Sequence, residues 1–218
     1  MNKPVLVSAL LLAGAALAIC VVLPAETGWD PTGAGKALGL TQIADPVGPE
    51  TERGQARMAR QQVLAENDAS SQPAGGVDDS WSVELGPFES VEFKYTIAEG
   101  DRMNFAWQAS GPVHYDMHAH PFEGGEELTE SYAIGDAATM RGSYTPAFTG
   151  IHGWFWENRS MEPVTLTLDA QGAMTTSTIF RDNGAAERPI AGATDRISGA
   201  VAGHRMQSEG EQSGNPSE

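Results

Sequence analysis

Residues 5–23 form a run of 19 residues without a charge, softened only by Ser8 and Gly14. As a helix rising about 1.5 Å per residue, the run extends about 28 Å, close to the hydrocarbon thickness of a bilayer. Such a segment cannot stay exposed to water, so it constrains where the rest of the chain lives. Cleavage after Ala16-Leu17-Ala18 would leave Ile19-Cys20-Val21-Val22-Leu23 as a hydrophobic stub. A lipoprotein cut before Cys20 meets bulky Ile19, where that peptidase takes a small residue. The run is therefore read as an uncleaved single-pass anchor. Lys3 precedes it, and Glu26 and Asp30 are the first charges after it. Positive charge favours the cytoplasmic face, so the remainder is expected outside, in the periplasm of a bacterial inner-membrane protein.

The formal net charge of −16 repels phosphate backbones, which makes nucleic acid a poor partner. Cys20 is the single cysteine and lies inside the apolar run, so the exported part has no disulfide and no thiolate chemistry. Its folding must rest on a core, and the aromatic residues locate one. Of 16 Phe, Trp and Tyr, 14 fall between Trp81 and Trp156. One domain over about residues 80–172 is expected, with residues 1–24 as anchor.

Residues 25–79 read as a short juxtamembrane helix followed by a flexible linker. Asp30-Pro31-Thr32 is a helix start and Gly39 a stop. Gly33-Ala34-Gly35-Lys36 is not a phosphate loop, because Ala37 stands where Ser or Thr is required. Pro46, Pro49, Pro73, Gly75, Gly76 and Ser70-Ser71 give linker composition, with residues 56–66 able to form about three helical turns. Residues 173–218 are polar, show no sustained period and are expected to be a disordered tail.

From Trp81 the apolar period becomes two. Val91, Phe93, Tyr95 and Ile97 alternate with polar residues, as do Met103, Phe105 and Trp107. Val113, Tyr115, Met117 and Ala119 do the same, and so do Val164, Leu166 and Leu168. Turns are expected at Glu99-Gly100-Asp101, Ser110-Gly111-Pro112 and Glu162-Pro163. Short alternating strands of this kind predict an all-β fold, an antiparallel β-sandwich of jelly-roll type behind the single helix.

The strand Val113-His114-Tyr115-Asp116-Met117-His118-Ala119-His120 carries the most chemistry. Positions two apart share a face about 7 Å apart, so His114, Asp116, His118 and His120 are expected side by side. His152 would join them from a neighbouring strand. Such nitrogen and oxygen donors suit zinc or copper(II), and these five residues are the candidate metal ligands. The competing reading is a plain solvated strand face. No nucleophile-elbow sequence surrounds Ser131 or Ser143, and no catalytic residues are assigned.

Two stretches resemble a family. Leu23-Pro24-Ala25-Glu26, Asp30-Pro31-Thr32-Gly33 and Leu38-Gly39-Leu40-Thr41 resemble the segment that follows the membrane helix in bacterial transmembrane anchor proteins. Gly150-Ile151-His152-Gly153-Trp154-Phe155-Trp156-Glu157-Asn158-Arg159-Ser160 resembles their late aromatic strand, and Glu92-Phe93-Lys94-Tyr95 and Tyr115-Asp116-Met117-His118 fit as well. The family name describes topology alone. The late aromatic strand and closing alternating strand are also similar to GOLD-type β-sandwiches, which implies partner binding without catalysis. The resulting expectation is an anchored binding or accessory module, not an enzyme, with no bound cofactor and an envelope protein as partner. The alternative is a periplasmic zinc- or copper-binding domain.

Overall fold

A computed structural model describes residues 3–44, 46–66, 78–181 and 184–190. The chain divides into two units, residues 1–49 with 159–161, and residues 50–158 with 162–218. Part of the expected linker (67–77) and the end of the expected tail (191–218) lie outside the described residues.

In the first unit a helix long and apolar enough to cross a membrane covers Pro4–Thr27, and none of its apolar stretch is buried. It comprises α1 (Lys3–Leu17), a π-helical turn (Ala18–Val22) and α2 (Leu23–Thr27). Gly28, at φ 69°, caps it by donating its N–H to the Pro24 carbonyl. A left-handed residue ends a helix this way, and glycine adopts it without strain. The expected Asp30 helix is shorter than its signals suggest. Asp30 accepts the Lys36 backbone N–H at 2.8 Å, and α3 (Ala34–Ala37) begins only after Gly33. Pro31 therefore sits in the turn. Gly35 lies against Pro24, where a Cβ would come within 2.1 Å of the proline Cβ. The short α4 (Thr41–Ala44) follows.

The second unit is mostly antiparallel β-sheet. Its strands are β1 (Leu64–Glu66), β2 (Asp79–Leu85), β3 (Ser90–Ile97), β4 (Met103–Pro121), β5 (Glu130–Tyr144), β6 (Gly150–Glu157), β7 (Val164–Gly172), β8 (Met174–Arg181) and β9 (Gly184–Pro189). The sequence periodicity places β3 and β7 well. It splits β4, which is one 19-residue strand through the expected 110–112 turn. The reason is a change of partner. Met103 to Ala109 pair with β7, whereas His114 to Pro121 pair with β6. Register against β5 shifts between Gln108 and Val113, so Gly111-Pro112 bends the strand without ending it. Such irregularities let one strand bend and change partners along its length.

Two arms result, both sharing β4 and β5. The first reads β1-β5-β4-β7-β2, and the second β5-β4-β6-β3-β8-β9. Aromatic rings connect them. Trp81 of β2 stacks on Phe93 of β3 at 4.6 Å, and Phe105 of β4 meets Trp154 of β6 at 4.7 Å. Asp79 of β2 accepts the Tyr95 hydroxyl of β3 at 2.8 Å and pairs with Arg188 of β9.

The domain is larger than residues 80–172. The expected tail contributes β8 and β9, because Met174, Ser177 and Thr178 are buried against β3. The expected linker contributes α5 (Pro49–Met58) and β1. The helix lies earlier than 56–66, opening at Pro49 with Glu50 and Glu52 in its first turn, and Val63 and Leu64 are buried. Arg57 of α5 forks onto Glu130 at 2.7 Å, and Arg53 donates to the Thr129 carbonyl at 2.8 Å. Between them Gly54 lies against the β5 backbone, where a Cβ would come within 1.8 Å of the Ser131 carbonyl oxygen. Gly54→Ala should therefore push α5 off the sheet and lower stability by about 1–3 kcal/mol, where a solvent-facing Gly→Ala in a helix would raise it. Urea unfolding of the full chain checks the sign, and an unchanged or raised midpoint would refute the close packing.

Candidate functional site

Pairing with β6 settles the faces of the histidine strand. Tyr115, Met117 and Ala119 lie opposite Trp156, Trp154 and His152, on the core side. His114, Asp116, His118 and His120 lie opposite Glu157, Phe155, Gly153 and Ile151, on the other face. Period two therefore groups the four expected residues as anticipated. The fifth is corrected: β6 does pair alongside, but its register puts His152 on the core face with Tyr95 and Ala119.

His152 is fully buried, its Nδ1 hydrogen-bonded to the Tyr144 hydroxyl at 2.8 Å, with Phe148 stacked at 5.2 Å. Burial pulls its ring down to about 3, helped by Lys94 and His120 and opposed by the carbonyls of Phe148 and Ile97. It is a neutral core histidine.

On the opposite face the histidines separate. His114 pairs with Asp136 at 3.2 Å. His118 turns to a different set: its Nε2 lies 3.0 Å from Glu92 Oε1, and its Nδ1 lies 3.2 Å from the Asp116 carbonyl and 3.6 Å from Asp116 Oδ2. Asp116 also accepts the Ser131 hydroxyl. His120 is buried at the far end of the row. Among the described residues no group of three or more His, Cys, Asp or Glu is placed to hold a metal ion. Asp116 and His118 come together, whereas His114, His120 and His152 do not join them.

What gathers around His118 is an ionic network. Lys94 lies opposite Gly153, which lies opposite His118. With no side chain on Gly153, the Lys94 chain crosses β6 and donates to the His118 carbonyl at 3.1 Å. Its ammonium also pairs with Glu92 at 3.1 Å. A Cβ on Gly153 would lie 2.0 Å from the Phe93 carbonyl oxygen, so only glycine fits there. Lys94 is fully buried, which pulls its ammonium down to about 8 against the opposing attraction of Glu92. Burial pushes the Glu92 carboxyl up, but the hydrogen bond from His118 and the Lys94 charge outweigh it and hold it at about 2. A buried charge is tolerated when paired and hydrogen-bonded in this way.

The side chains of His118, Asp116 and Glu92 remain 15%, 25% and 31% exposed. With both ring nitrogens of His118 engaged, the network meets solvent chiefly through the two carboxylates, which can accept hydrogen bonds from a polar group. Periodicity does not point to Glu92, Lys94 or Ser131. The available signal is Glu92 and Lys94 two apart on one strand, which places opposite charges on one face.

No protein-family model matches the chain, and no curated protein matches it. Among solved structures it is similar to a de novo designed double-stranded β-helix at TM-score 0.25 and 14% identity, over 43% of this chain and 99% of that one. It is similar to a sugar phosphate isomerase of the cupin superfamily from Silicibacter pomeroyi at TM-score 0.26 and 15% identity, over 52% and 68%. A dTDP sugar isomerase from Desulfovibrio desulfuricans matches at TM-score 0.30 and 10% identity, over 60% and 76%. Two of these are enzymes by title, which stands against the expectation of a module that is not an enzyme. At these TM-scores the matches lend this chain neither a fold nor an activity.

Proposed function

We propose that this chain is a single-pass protein of the bacterial inner membrane whose β domain stands in the periplasm as an anchored binding or accessory module for another envelope protein. The observation that carries this reading is the Pro4–Thr27 helix, whose apolar stretch has no protein packed over it. Exposed Leu10, Leu11 and Leu12 are 65%, 71% and 72% accessible, a surface that lipid would cover. Lys3 ahead of the helix and Glu26 and Asp30 behind it favour an outward carboxy-terminal domain. The same reading takes the two arms as layers of a jelly-roll-like sandwich, supported by the Trp81–Phe93 and Phe105–Trp154 ring contacts.

Protease treatment of intact spheroplasts tests the topology. The full chain should stay with membranes through carbonate washing, and its β domain should be digested without lysis. A domain protected until lysis would overturn the orientation, and release by carbonate would overturn the anchor. Crosslinking in intact cells should trap an envelope protein, and its repeated absence would remove the accessory role.

A further inference from the structure

The first arm carries a second feature on its outer face, away from His118. On β4, Ala106 lies between Arg141 of β5 and Asp169 of β7. One pair along, Gln108 lies between Thr139 and Thr167. These six residues line an open groove of about 400 Å³. Its floor is low because Ala106 contributes only a methyl group, and its walls carry opposite charges. Adjacent strands lie about 4.8 Å apart, so the two wall Cα atoms stand about 10 Å from each other across Ala106.

The charges are not spent on each other. Among the described residues Arg141 is exposed and has no hydrogen-bond or ion-pair partner. Asp169 accepts the Ser80 hydroxyl through Oδ1 at 2.7 Å, which orients the carboxylate. Guanidinium binds carboxylate as a two-pronged donor, and a carboxylate binds ammonium. Between them Gln108, Thr139 and Thr167 offer neutral donors and acceptors matched to a peptide group.

We propose that this groove binds a dipeptide-sized zwitterion, its carboxylate on Arg141 and its ammonium on Asp169. Two extended residues span about 7 Å, enough to bridge the floor once both side chains lean inward. The inference adds a ligand class to the anchored-module reading and rests on it only in taking the domain to be a binding module. Binding by purified chain is measured without regard to membrane orientation, so the two readings fail separately.

The test uses the full chain in detergent micelles, titrated with L-alanyl-L-alanine and followed by ligand-observed NMR. Saturable binding is expected with a Kd on the order of 1 mM, as suits an open polar site. Arg141→Gln and Asp169→Asn should each weaken it about tenfold while leaving the melting curve unchanged, since Arg141 is exposed and without a partner among the described residues, and asparagine at 169 keeps an oxygen to accept the Ser80 hydroxyl. N-acetylated and C-amidated dialanine should lose a similar factor. No saturable binding at 10 mM, equal binding by the capped peptides, or binding unchanged in both variants would each overturn the proposal. So would self-association that both variants abolish, because a second copy would then be the occupant.

Discussion

Lowering the pH from 6.5 to 3 should destabilise the β domain steeply, and His152→Phe should remove most of that dependence. The ring is wholly buried, with an ordinary value of 6.5 depressed to about 3 in the fold. The unfolded chain takes up a proton near pH 6.5 and the folded chain only near 3, so unfolding gains a proton throughout that window. Stability from this group is complete above 6.5 and lost as pH falls toward 3. At about 1.4 kcal/mol per unit, the loss approaches about 5 kcal/mol, comparable to the whole stability of a modest domain. Glu92 adds a loss in the same direction at lower pH, from 4.5 toward 2. Urea midpoints of the full chain at pH 7 and pH 4, for wild type and His152→Phe, provide the measurement. Phenylalanine removes the Tyr144 hydroxyl's bond to His152 and costs about 1–3 kcal/mol at both pH values, so the difference between them is the readout. Equal pH dependence in the two proteins would show that His152 is not held neutral by burial.

Trp156→Ala should cost about 3–5 kcal/mol, enough to leave little of the folded state at physiological temperature. Its ring is fully buried. It stacks 5.6 Å from Trp154 on its own strand and 6.2 Å from Trp81 of β2, and it meets Trp107 of β4 edge-on at 5.9 Å. Removing it opens a void between rings that belong to both arms, and large neighbouring rings fill a void poorly. Thermal unfolding of the full chain followed by near-ultraviolet circular dichroism measures the loss. A cost below about 1 kcal/mol would mean that these rings do not hold the arms together.

Strands whose apolar faces alternate cleanly were legible in the sequence: 91–97, 103–107, 113–119 and 164–168. β5 was not, because Ala133, Gly135, Ala137 and Ala138 give it little alternation, although it pairs with β4 over most of its length. β8 was hidden by short polar side chains, since Thr178 and Ser177 are buried by neighbouring strands without being apolar, and the exposed β9, Gly-Ala-Ala-Glu-Arg-Pro, has no apolar alternation at all. At the site, parity along one strand correctly grouped His114, Asp116, His118 and His120. Parity across strands depends on register, which one strand's pattern does not contain. Hence His152 fell on the opposite face, and Glu92 and Lys94, brought to His118 across Gly153, had no signature of their own.

The bent strand β4 also has a thermodynamic consequence. A strand that lends half its length to each arm cannot leave one without fraying the other, so the arms should open together as one cooperative unit in hydrogen exchange. Free energy gained by a ligand on the Arg141 side would then be felt in the protection of amides around His118. Communication between the two surfaces would need no moving part, only the shared backbone from Met103 to Pro121.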